Sequence, residues 1–332
     1  MRRLITHLFL TLTLGAAFLS APLLKTARAA GSDAAPALER IRFAPGATSA
    51  RVEGELRARE SERYVLRAIA GQLMEVNLSA GAGARLTVST ASGRVLNPSI
   101  RGNGIFRHYL PANGDYYLEV EAGSRAASYA VTVSIPERIS FARGATSGAV
   151  EGELAAQQSH EYILGAQAGQ LLEVAGDPDG ELQLIIYGVD GTVLRSGRGE
   201  GASFRGQLPR TQDYLVVVRA GSRAVSYSLN VMIPQRISFE RGSVSGSVNG
   251  WAGAHGSQYY VLRALKGQEM QVRVVSDENV QLIVYGADGT VLKSGMSEGS
   301  RFSGELPSTQ DYILVVRAGA RAAAYTLKAT IR

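Results

Sequence analysis

Four histidines and no cysteine limit the chemistry open to this chain of 332 residues. Acid–base or nucleophilic catalysis needs a converging set of acid, base and nucleophile. His108, His160 and His255 are spread along the chain beyond its first thirty residues. The chain repeats itself every 98 residues, yet 98 before His255 stands Gln157, and 98 before His160 stands Glu62. No shared catalytic or metal site follows from such scatter, and the three read as solvated loop histidines. Gly-x-Ser-x-Gly, His-Glu-x-x-His and a cysteine nucleophile are all missing. Asp177-Pro-Asp-Gly180 and Asp277-Glu278 occupy matching loops. They lack the spaced oxygens and closing Glu of a calcium loop and read as polar turns. Neither an enzyme nor a cofactor or metal is expected.

Binding chemistry remains. Trp251 is the single tryptophan and stands where the earlier copies have Glu55 and Glu153. Alternation along its run turns it outward. A hairpin centred on His255 would face Trp251 with Tyr259 across the ladder, and by the same register Glu55 with Arg63 and Glu153 with Glu161. Such an exposed aromatic pair, with His255 at the tip, suits sugar faces or a protein partner. Arg219, Arg223, Arg317 and Arg321 gather near the end of two copies. They suit anionic wall polymers or a basic edge that blocks strand pairing. Asp115, Asp213 and Asp311 recur just before a strand tyrosine, where a carboxylate bonds turn N–H groups.

The elements that must position these groups recur three times. Arg40-Ile-Arg-Phe-Ala-Pro-Gly returns as Arg138-Ile-Ser-Phe-Ala-Arg-Gly and Arg236-Ile-Ser-Phe-Glu-Arg-Gly. Gly71, Gly169 and Gly267, and Tyr129, Tyr227 and Tyr325, keep the step. A period of that length is a whole domain rather than a solenoid turn. In the second copy strands are predicted at 138–141, 148–154, 160–166, 170–175, 181–187, 192–195, 202–207, 213–219 and 225–233. Tyr214, Val216, Val218, Tyr227, Leu229, Val231 and Ile233 face inward, with Ser228, Asn230 and Met232 outward. The last two runs flank a short glycine loop and read as a β-hairpin, as do those around Asp190-Gly191 and Asp288-Gly289. The fold class is all-β: three tandem antiparallel β-sandwich domains, over 40–136, 137–234 and 235–332. Phe43, Tyr64, Leu66, Leu118 and Tyr129 form the expected first core. Pro136 and Pro234 leave little linker, so the joins have restricted hinges.

Arg2 and Arg3 precede an apolar run to Leu24, and Ala27-Arg28-Ala29 supplies a small-residue cleavage site. Residues 1–30 therefore read as a signal peptide, and 31–39 as a disordered lead-in. A secreted protein, periplasmic or extracellular, with no retained membrane segment, is expected. Arg2, Arg3, Lys25 and Arg28 leave with the leader, taking 35 basic residues to 31 against 29 acidic ones, about +2. So small a charge gives no footprint for nucleic acid.

The signature Arg-Ile-x-Phe-Ala-x-Gly-Ala-Thr-Ser, then Tyr-Val-Leu-Arg-Ala-x-Ala-Gly-Gln, Asp-Tyr and a closing Tyr run resembles the bacterial pre-peptidase C-terminal domain group. It is most similar to the branch with periplasmic inhibitors of goose-type lysozyme. The resemblance covers 40–332 and implies jelly-roll-like sandwiches in exported bacterial proteins, often appended to proteases. No protease domain accompanies them here. The expected partner is a cell-wall or extracellular glycan, or a protein such as a lysozyme; a structural spacer or protease accessory is the remaining alternative. Loops 155–160, 176–181 and 195–202 differ most between copies, where specificity would diverge.

Overall fold

The computed structural model describes residues 38–81, 83–97, 99–197, 201–295 and 299–332. The leader, nearly all of the lead-in and part of loop 195–202 lie outside them. Every regular element among the described residues is a strand, and none of the described residues forms a helix long and apolar enough to cross a membrane. Pro36–Arg332 form one compact unit that holds three copies of a two-sheet arrangement.

In the second repeat one sheet has the order Glu137–Arg138, Ser159–Ala166, Gln212–Ala220, Leu182–Gly188 and Val193–Ser196. The other runs Ser147–Leu154, Val225–Met232, Leu171–Pro178 and Ser203–Gln207. All nine predicted strands are present, the first shortened to a two-residue parallel pairing with Tyr162 and Ile163. Alternate residues of both sheets meet between them: Tyr162, Leu164, Tyr214, Val216 and Val218 from one, Leu172, Val174, Tyr227, Leu229 and Val231 from the other. In the first repeat Tyr64, Leu66, Leu118 and Tyr129 are buried, with Phe43 half-buried against them.

Pairing departs from the sequence reading. Gln212–Ala220 pairs with Ser159–Ala166 and Leu182–Gly188, whereas Val225–Met232 pairs with Ser147–Leu154 and Leu171–Pro178. The closing runs are therefore no hairpin; their loop carries the chain from one sheet to the other. Burial alternation is the same either way, because both strands turn the same residues to the core. The Asp190-Gly191 hairpin does form, with Gly188 N–H bonded to the Thr192 carbonyl at 2.8 Å. Met232 faces outward from its sheet, level with Glu173, yet is buried there.

Successive repeats are joined by a recurring contact. Leu73 sits among Ile163, Leu215, Tyr187 and Val189, on the outer face of the next repeat's five-stranded sheet. Leu171 repeats this against Val261, Ile313, Val315 and Tyr285. Arg107 pairs with Glu75 at 2.7 Å, donates to the Val189 carbonyl at 2.9 Å and lies 5.1 Å from the Tyr187 ring centre. Arg205 does the same with Glu173 at 2.8 Å, Ala287 at 3.1 Å and Tyr285 at 5.2 Å. Thr48 and Thr146 hydroxyls accept the N–H groups of Glu161 and Tyr259, both at 2.7 Å.

The set stops at the two ends. Stepping 98 onward from Leu171, Glu173 and Arg205 gives Glu269, Gln271 and Ser303. Stepping 98 back from Ile163, Leu215, Tyr187 and Val189 gives Val65, Tyr117, Ser89 and Ala91, with Arg63 5.7 Å from the Tyr117 ring centre and paired with Glu119 at 3.0 Å.

Candidate functional site

One end of the third repeat collects most of the binding residues. The link between Ser245–Ala252 and Ser257–Ala264 crosses between sheets, since the first strand pairs with Ala323–Ile331 and the second with Gln310–Ala318. His255, exposed at its tip, has φ 58°. A non-glycine residue at positive φ is uncommon, though His tolerates it better than most. The His255 N–H bonds the Gly319 carbonyl at 2.8 Å, and the Ala318 N–H bonds that of Gly256 at 2.9 Å. These bonds clamp the link to the loop that carries Arg321. Arg317 stands opposite Ser257, its Nε 3.5 Å from the serine hydroxyl. Arg321 is 3.7 Å from Glu278 with its side chain 80% exposed, a contact that holds it loosely. Trp251, 61% exposed, stands opposite Ala324, three residues past Arg321. Trp251, His255, Arg317 and Arg321 thus share this end.

Tyr259 does not join them as predicted. It is in the other sheet from Trp251, opposite Val315, and half-buried in the joint with the second repeat. The cross-ladder pairs inferred from that hairpin fall with it. Glu55 faces Ser128, Arg63 faces Glu119, Glu153 faces Ser226 and Glu161 faces Val217. Arg317 lies in the sheet of Tyr259 as well, so the tryptophan and this arginine share the end of the repeat but not a face.

Arg219 and Arg223 are exposed at the matching end of the second repeat, where Glu153 and Gln157 stand in the places of Trp251 and His255. Arg219 and Arg317 lie on the middle strands of their five-stranded sheets, so they guard no edge. The first repeat has Glu55, Arg59, Glu121 and Arg125 at these positions, with Glu121 paired to Arg85 at 3.2 Å.

His160 is not a loop histidine. It lies half-buried on a strand, its Nδ1 2.7 Å from the Tyr227 hydroxyl, which also meets the Tyr162 hydroxyl at 2.7 Å. Burial pushes the His160 pKa down. In the first repeat Tyr129 donates to Glu62 at 2.5 Å and meets Tyr64. In the third the Tyr260–Tyr325 pair, at 2.8 Å, has no such partner among the described residues; Gln258 accepts from Thr146 instead. Gly152 passes so close to Tyr227 that a Cβ would come 2.7 Å from its hydroxyl. The three clusters are core joinery.

The recurring aspartates serve arginines rather than turn N–H groups. Asp213 takes both Nη atoms of Arg138, at 3.2 and 2.7 Å, and the Tyr109 hydroxyl of the preceding repeat at 2.5 Å. Hydrogen bonding from Arg138, then from Tyr109, holds its carboxyl below the usual range. Burial and this carboxylate push the Tyr109 hydroxyl up to about 12. Asp311 likewise takes Arg236 and Gln207. The signal was present in the sequence, since Arg40, Arg138 and Arg236 precede their aspartates by a constant 75 residues.

Among the described residues no group of His, Asp and Glu is arranged to hold a metal ion. No protein-family model and no curated protein matches the chain. Solved structures similar to parts of it include the periplasmic inhibitor of g-type lysozyme from Aeromonas hydrophila, at 26% identity and TM-score 0.27, covering 30% of this chain and 95% of that one. That from Salmonella Typhimurium has 23% identity and TM-score 0.24 over 29% and 95%. A mutant of the Escherichia coli inhibitor has 22% identity and TM-score 0.24 over 30% and 99%.

Proposed function

We propose that this chain is an exported, non-catalytic binding protein whose partner is a protein at the cell envelope, with a goose-type lysozyme as the first candidate. The observation that carries the reading is the end of the third repeat, where Arg317 and Arg321 are exposed with one loose ion pair and Trp251 is exposed on the opposite sheet. Glycoside hydrolases work through a pair of carboxylates that flank the scissile bond. Guanidinium groups bind carboxylates in bidentate fashion, and an exposed tryptophan supplies an anchor. The sequence signature supports the same partner class. The test is a binding isotherm of the intact chain on goose-type lysozyme. Arg317→Ala with Arg321→Ala should weaken it at least tenfold, the cost of about 1.4 kcal/mol; unchanged binding sinks the assignment.

A second reading, glycan binding, is favoured by the exposed indole of Trp251, whose flat face suits a sugar ring. Loss of glycan binding in Trp251→Ala with lysozyme binding retained would separate the two.

A further inference from the structure

The outer face of the third repeat's four-stranded sheet carries a row of three cations. Arg273 stands directly opposite Lys328 on one side and Arg301 on the other. All three are exposed and lie on adjacent strands, about 4.8 Å apart in the pairing direction. Among the described residues none of them makes an ion pair or a side-chain hydrogen bond. Like charges directly opposite destabilise a sheet.

The fold does not require them. The same positions hold Asn230, Ala175 and Ser203 in the second repeat, and Thr132, Asn77 and Ile105 in the first. Neighbouring rows of the same face carry Trp251 opposite Ala324, and Asn249 opposite Thr326. The Thr326 hydroxyl donates to Asn249 Oδ1 at 2.8 Å, which leaves the asparagine amide N–H groups directed elsewhere. In the other direction Glu269 and Glu305 stand opposite each other, four residues from Arg273 and Arg301, about 13 Å along the strands. The basic zone is therefore one row wide, flanked by Gln271, Ser303 and Thr330 with the carboxylates beyond on one side, and by Asn249 and Thr326 with Trp251 beyond on the other.

We infer that this face binds a single anionic polysaccharide chain, with Lys328, Arg273 and Arg301 holding its charged groups and Trp251 stacking on a sugar. One row of three cations matches one string of charges. A duplex or an anionic membrane presents charge over a broad surface, which Glu269 and Glu305 would oppose. The indole, amide and hydroxyl beside the row are the groups that recognise sugar rings. This inference rests on the glycan reading and adds the charge of the ligand and three residues to it.

The test uses the intact chain with four probes: polygalacturonate, neutral dextran, a DNA duplex and phosphatidylglycerol vesicles. Polygalacturonate should bind best, and more weakly as salt rises. Arg273→Gln, Arg301→Gln and Lys328→Gln together should weaken it by about tenfold or more and flatten the salt dependence. The thermal midpoint of that variant should hold or rise, because the repulsion is gone. Preference for the duplex or vesicles, unaltered binding by the triple variant, or no binding of polygalacturonate each overturns the inference. If neutral dextran binds as well, in a manner that Trp251→Ala abolishes, the glycan reading stands and this one falls.

Discussion

Arg205 of the second repeat lies 5.2 Å from the ring centre of Tyr285 in the third and donates to the carbonyl of Ala287 beside it. Its charge is held by Glu173, so the cation reaches across the joint already paired. Arg107 and Tyr187 repeat the arrangement one joint earlier. The joints are therefore built contacts, and the repeats should unfold as coupled units.

Leu171→Ala removes the side chain seated among Val261, Ile313 and Val315. It should cost about 2–4 kcal/mol and split the calorimetric transition, the third repeat melting apart from the others. Glu269→Ala, at the matching position on the free end, should change stability by under about 0.5 kcal/mol. Equal effects of the two would contradict the joint.

The first joint carries a carboxylate that the second lacks. Glu161 stands where the third repeat has Tyr259, and its Oε2 is buried with no hydrogen-bond partner among the described residues. Burial first, then the charge of Glu75, pushes its pKa up from 4.5 to about 7, against the opposing pull of Ser134 and Arg107. Tyr187 faces the same group. The folded joint thus prefers the proton. Its contribution is full below pH 4.5 and is lost as pH rises through about 7, a change of up to about 3 kcal/mol. Urea melts between pH 5 and 8 should show that decline, and Glu161→Gln should flatten it. A decline that survives the substitution would assign it elsewhere.

Gly152→Ala places a methyl 2.7 Å from the Tyr227 hydroxyl and 3.1 Å from His160 Nδ1. Both rings are held in the core cluster, so the repeat should lose about 1–3 kcal/mol. The check is the thermal midpoint beside Gly144→Ala. That residue lies in an exposed turn with nothing within 4 Å of the added Cβ, at φ 77°, and strain alone should cost it about 1 kcal/mol.

The Asp190-Gly191 hairpin was legible because its cause is local, and Tyr162, Tyr214 and Tyr227 were legible as core because alternation reports burial directly. Sheet membership was not. A short glycine link reverses the chain equally well within a sheet or across to the opposite one, which is why Trp251 and Tyr259 were wrongly paired. Trp251 itself was rightly turned outward, since that needed only its own strand. The joint was encoded in the change from Leu73 and Leu171 to Glu269. Its meaning depends on knowing which face meets the next repeat, and that is a tertiary fact. Met232 shows the same limit, outward by period yet buried by level with Glu173.

The central proposal, a non-catalytic binder of a lysozyme, is tested most directly by the turbidity of a lysozyme-sensitive cell suspension. Goose-type lysozyme is added with rising amounts of the mature chain. Protection should saturate at a fixed ratio to enzyme, disappear when the cells are washed before lysozyme is added, and be lost in Arg317→Ala with Arg321→Ala. Protection that survives washing would mean that the wall is shielded, and no protection at all would mean that lysozyme is not the partner; either result contradicts it.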